Sequence, residues 1–77
     1  MTIYDRVDQI LESRRMSRRQ LALLAGISEN TISAAFRRKS KRVSLENIVR
    51  ISRALDLSPK ELCAGTDLET WMDAIFG

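Results

Sequence analysis

The chain has 77 residues, 44% hydrophobic and 30% charged, with a net charge of +3. That length allows one domain, near the lower size limit for unaided folding. With no His, one Cys and three Gly, it lacks the usual base near neutral pH, a thiolate metal set and a glycine-rich phosphate loop. No enzymatic activity, metal or cofactor is therefore expected, and no small-molecule ligand is evident.

No window alternates apolar and polar residues at period two, so no strand is predicted and the fold class is all-α. A first helix is predicted from about Ile3 to Ser13, capped by Thr2, with Ile3, Val7, Ile10 and Leu11 as its core stripe. Tyr4 reads as core edge, with a phosphate donor as the alternative. Ser17 and Gln20 form a capping box for a second helix, Arg18 to Ala25. Along it Leu21, Ala22, Leu24 and Ala25 recur at helical spacing. Gly26 stops this helix where a left-handed residue is needed, and Ile27 re-enters the core. Ser28 caps a third helix, Glu29 to about Arg38, anchored by Ile32. Ala22 supplies the small side chain that two helices crossing at a sharp angle require.

Lys39 to Val43 reads as a basic loop. A fourth helix follows Ser44 to about Leu55, with Leu45, Ile48, Ile51 and Leu55 on one face. Ser58-Pro59-Lys60-Glu61 is a capping box with Pro at the first helical position. It opens a short fifth helix with Leu62 as core contact and Gly65 as stop. Thr66-Asp67-Leu68-Glu69 begins a sixth segment, in which Leu68, Trp71 (or Met72) and Ile75 repeat at helical spacing.

The run Ser17-x-x-x-Leu21-Ala22-x-x-x-Gly26-Ile27-Ser28-x-x-x-Ile32-Ser33 resembles the phage-repressor-like helix-turn-helix family of transcription regulators (lambda repressor/Cro-type, xenobiotic-response-element). The likeness continues through Ser44-Leu45, Ile48, Ile51, Ala54-Leu55, Leu57-Ser58-Pro59 and Glu61-Leu62. Arg18 stands where the family usually has Gln, Arg38 where a helix-ending Gly is common, and Val43 where Pro is common. The resemblance implies a five-helix lambda-repressor-like domain over residues 1–65. Residues 66–77 form an added C-terminal helical segment, read as a possible dimerisation element.

Charge is unevenly distributed. Residues 14–42 carry nine Arg and Lys against Glu29 alone, for +8, while residues 1–13 sum to −2 and residues 43–77 to −3. A polyanion-binding face would have its basic charge on and around such a helix pair.

The resemblance implies a sequence-specific regulator of double-stranded DNA, its third helix lying in the major groove. With Ile32 inward, the base-contact candidates are Glu29, Asn30, Ser33, Ala34 and Arg37. Asn30 suits adenine, Glu29 suits cytosine and Ala34 a thymine methyl; stabilising the helix dipole is the competing role for Glu29. Backbone candidates are Arg18, Arg19, Ser28, Thr31, Arg38, Lys39, Lys41, Arg42 and Ser44.

A homodimer is expected, with Leu68, Trp71, Met72, Ile75 and Phe76 as interface candidates. The competing arrangement folds this helix back over helices 1 and 5 of its own chain. An alternative function is a protein-interaction module of the same fold, such as an antitoxin or a transcriptional co-factor. Cys63 reads as a small core residue, a redox sensor being the lesser alternative. The lone Cys and the acidic start MTIYDRVDQ, which has no apolar signal core, point to a reduced, cytoplasmic compartment. The longest apolar run, Leu21 to Ala25, is too short to span a bilayer.

Overall fold

The computed structural model describes residues 1–38 and 44–76. Its described residues form six helices: α1 (Ile3–Arg14), α2 (Arg18–Ala25), α3 (Glu29–Arg38), α4 (Leu45–Ala54), α5 (Pro59–Cys63) and α6 (Glu69–Phe76). Local chemistry accounts for where they start. Thr2 and Ser17 each accept a bond from the third helical N–H and receive the reciprocal one, making full capping boxes. Ser44 accepts from Asn47 N–H at 3.1 Å and Ser58 from Glu61 N–H at 3.1 Å. At Ser58 only this half of the expected box forms, and Glu61 remains exposed.

The helices end by different means. α1 runs one residue past its expected end to Arg14, and Arg15 adopts φ 54° to close it. α2 ends at Gly26 with φ 68°, as the turn requires. A Cβ built at Gly26 meets only the Arg50 guanidinium, at 3.5 Å, so strain rather than a clash opposes a side chain there. Gly26→Ala is accordingly expected to cost about 1–2 kcal/mol through its left-handed backbone alone. Urea unfolding of the variant gives that value directly, and a neutral result would mean that the turn relaxes.

One core unites all six helices. Ile3, Val7, Ile10 and Leu11 from α1 meet Leu21, Ala22, Ile32, Phe36, Ile48, Leu55, Leu62 and Cys63. Tyr4 is buried there too, its ring edge-on to Phe36 at 5.5 Å between centroids. Ile27, Ile51, Leu57 and Leu68 pack against this cluster from its rim.

Two expected core positions lie elsewhere. Leu24 is exposed because α2 buries the Leu21–Ala22–Ala25 side, and a residue advances about 100° per step around a helix. Leu45 sits at the open first turn of α4 and also stays at the surface.

In α6 the inward residue is Met72, fully buried, while Trp71 lies at the surface. The helix packs on α5. Its entry is held by Thr66, whose hydroxyl donates to the Cys63 carbonyl at 2.6 Å and accepts from Leu68 N–H at 3.2 Å. Asp67 N–H donates to the Met1 carbonyl at 3.0 Å, fastening the same corner to the start of the chain. The radius of gyration, 11.4 Å, agrees with about 11.5 Å for a compact chain of this length, so α6 lies on the body.

Cys63 is fully buried. Burial, helped by the Asp67 carboxylate, pushes its thiol from 9.0 up to about 11. The Tyr4 hydroxyl is raised from 10.0, by burial first and then by Asp67. For both groups the folded chain keeps a proton that the unfolded chain releases at lower pH. The associated stability is complete below about pH 9 and is lost as pH climbs towards 11. Thermal melts should show Tm falling across that window, less steeply in Cys63→Ala. An identical slope in the two proteins would remove Cys63 as the source.

Candidate nucleic-acid interface

The α2–turn–α3 unit is rigid for reasons distributed across the chain. Ile27 N–H donates to the Ala22 carbonyl at 3.0 Å, closing the turn behind Gly26. From α4, the Arg50 guanidinium donates to the Gly26 carbonyl at 3.1 Å while pairing with Glu46 at 2.9 Å. Ile32 and Phe36 bury the inner side of α3 at 3% and 6% exposed, so its outer side has a set orientation.

The outer side carries most of the base-contact candidates. Glu29, Asn30 and Arg37 are exposed, whereas Ser33 and Ala34 are half-buried. Asn30 and Ile32 differ by two positions, about 200° around the helix, so the amide side chain lies on the side away from the core. Glu29 stands in the first turn, where the helix dipole favours an acid.

The backbone candidates divide into engaged and unengaged groups. Arg18 is engaged twice. Its guanidinium forms a bidentate pair with Asp8, at 2.9 and 3.2 Å, and lies 4.3 Å from the centre of the Phe36 ring. Both Arg18 and Asp8 are half-exposed, so the pair stabilises by less than about 1 kcal/mol. The Phe36 contact ties the start of α2 to the end of α3, which Gln at this position would not do.

Ser28 and Thr31 hydroxyls face one another at 2.6 Å, and Ser28 also accepts from Thr31 N–H at 3.1 Å. Ser44 accepts from a backbone N–H, which leaves its own hydroxyl hydrogen to donate elsewhere. Among the described residues, Arg19 and Arg37 are exposed and form no ion pair. Lys39, Lys41 and Arg42 lie outside the described residues, and α3 ends at Arg38.

Sequence reasoning missed Asp8 and Arg50, which hold the unit rather than present chemistry. Glu46 and Arg50 at i, i+4 were legible as a helix pair. The reach from Arg50 to a carbonyl 24 residues earlier was not.

The candidate interface between copies is smaller than expected. Met72 must be withdrawn from it, since it is fully buried within its own chain. The reason is local: α6 packs on α5, and Met72 is its fully buried residue, in the same core cluster as Leu62 and Cys63. Leu68 also packs against the core. Trp71, Ile75 and Phe76 remain at the surface, 38%, 43% and 47% exposed.

Among the described residues no cluster of acids, Cys or His suits a metal ion, and no helix is long and apolar enough to cross a membrane. A family model for the Cro/C1-type HTH DNA-binding domain matches residues 6–66. No curated protein and no solved structure matches the chain.

Proposed function

The chain belongs to the Cro/C1-type HTH DNA-binding family, and from that premise we propose that it is a sequence-specific transcriptional regulator of double-stranded DNA. α3 enters the major groove, presenting Asn30, Glu29, Arg37 and the less exposed Ser33 and Ala34 to base edges. Arg19, Ser28, Thr31, Ser44 and the cations Arg38, Lys39, Lys41 and Arg42 hold the phosphates on either side. Arg18 contributes field and positioning while it stays paired with Asp8.

The observation behind this reading is the outer side of α3. Its exposed polar first turn lies opposite a buried Ile32 and borders Arg19, while Arg37 is exposed in the last turn; neither cation forms an ion pair among the described residues. Selection of bound sequences from random DNA tests it. Recovery of one motif, bound by a gel shift that weakens with salt, supports it; recovery of no motif overturns it.

Replacing both Lys41 and Arg42 by Ala is expected to weaken binding about equally on all sequences. Removing a cation from a phosphate lowers the log–log salt slope by about 1. An unchanged affinity and slope would take both residues out of the interface.

One helix-turn-helix reads few base pairs, so a second copy extends the site. Trp71, Ile75 and Phe76 are the residues proposed to make that protein–protein contact. The same apolar surface favours a second reading, a module whose main partner is a protein. A protein that self-associates or captures partners yet selects no DNA motif would establish it.

A further inference from the structure

Two exposed apolar patches lie outside the DNA-facing residues, and their charges are opposite. The first is on α2, where Leu23 and Leu24 are 76% and 61% exposed. They line a shallow groove with Gln20, Met16, Arg14 and Arg15. Residues 13–28, which supply it, contain four Arg and no acid. The second patch is the α6 surface of Trp71, Ile75 and Phe76. Residues 61–77 contain four acids and no Lys or Arg; Glu69 and Asp73 are exposed on the helix itself, Asp73 pairing with Lys60 at 3.5 Å.

The patches do not meet within one chain, since α1, α2 and the turn between them supply every residue that lines the α2 groove. The α2 groove includes Arg14 and Arg15 at the C-terminal end of α1, whereas the α6 corner is bonded to Met1 beside its N-terminal end. Twelve residues of α1, about 18 Å of helix, run between that corner and Arg14.

We propose that the acidic, apolar α6 face of one copy docks into the basic, apolar α2 groove of another. Ile75, Phe76 and Trp71 would bury against Leu23 and Leu24, with Glu69 opposite Arg15, since Asp73 pairs with Lys60 and Arg14 donates to the Leu55 carbonyl in their own chain. This contact is heterologous, so each copy offers one donor face and one free acceptor groove. It differs from a symmetric α6–α6 dimer, which would leave Leu23 and Leu24 in water and set acid against acid. Neither patch includes a candidate DNA contact, and Leu23 is the residue of the groove that borders Arg19, Ser28 and Glu29. The inference rests on the self-association part of the proposed function and is independent of DNA binding.

Two variants that fail in opposite ways test it. Leu23→Glu/Leu24→Glu blocks the groove, and Ile75→Ser/Phe76→Ser blocks the donor face; all four residues are exposed. Sedimentation equilibrium at high micromolar concentration is read alongside circular dichroism, which checks that each variant is folded. Wild-type protein should show a weight-average mass that rises with concentration and falls with added salt. Each variant alone should stay monomeric, its self-association weakened by roughly tenfold or more. An equimolar mixture should form a one-to-one heterodimer and stop there, because the only surviving contact uses one intact face from each.

A groove variant that associates like wild type would overturn the proposal in favour of a symmetric α6 contact. So would a mixture that remains monomeric, or wild-type protein that stays monomeric throughout. If the groove variant does not fold, Glu69→Lys is the substitute: weaker self-association supports the proposal, and an unchanged constant at low salt overturns it. Gel shifts on a single isolated site separate this outcome from the DNA reading, since a charge-neutral Leu23→Ser/Leu24→Ser variant should bind there as wild type does.

Discussion

Met72→Ala is expected to destabilise the protein by about 2–5 kcal/mol, the range for emptying a fully buried large side chain. Ile75→Ser, one turn along the same helix, is expected to cost less than about 1 kcal/mol, in line with surface substitutions. The contrast follows from burial: Met72 is fully enclosed and Ile75 is 43% exposed. A chain of 77 residues has about 4–12 kcal/mol of stability in total. Loss of Met72 alone thus consumes a large share, and a chain ending at Thr66 should be mostly unfolded at room temperature. It would uncover Leu62 and Cys63 and lose the Asp67–Met1 bond as well. Urea unfolding followed by circular dichroism measures all three. A truncated chain with near-wild-type stability would show that residues 1–65 fold by themselves and that α6 is an appendage.

Met72 also marks the limit of what local sequence encodes. Element starts were legible because a cap acts within three residues: Thr2, Ser17, Ser44 and Ser58 all accept the bonds that their spacing predicts. Gly26 was legible because one backbone conformation there excludes most side chains. The α6 register was ambiguous, since Trp71 and Met72 both fit a period of 3.6 over eight residues. Only the position of α5 beneath the helix decides between them. Leu23 and Leu24 on α2 expose a related weakness. Hydrophobicity suggests burial, but the buried side of α2 is complete with Leu21, Ala22 and Ala25.

For the candidate interface, the chemistry-bearing residues were legible and their supports were not. Asn30, Glu29 and Arg37 follow from the turn and the inward Ile32. The engagement of Arg18 depends on Asp8 in another helix and on Phe36 at the far end of α3. Such contacts are set by helix crossing, which no local spacing encodes. Charge patterning had the same limit: it marks residues 14–42 as basic without separating the partnered Arg18 from Arg19, which forms no ion pair among the described residues.

Asn30→Ala is the substitution expected to act most strongly on specificity. Asn30 is exposed in the first turn of α3, opposite Ile32, and its amide offers a donor and an acceptor together. That pairing suits the adenine edge in the major groove, and losing it costs about 1–3 kcal/mol on the preferred site. Asn30 is uncharged, so its removal leaves the salt slope and the affinity for random DNA unchanged. Folding should shift by no more than about 0.5 kcal/mol, since an exposed side chain is removed. Competition binding of wild type and variant against the selected site, its single-base variants and random DNA distinguishes the possibilities. Relaxed preference at one base position identifies a base contact. Equal weakening on specific and random DNA makes Asn30 a backbone contact instead, and no weakening on either removes the first turn of α3 from the interface.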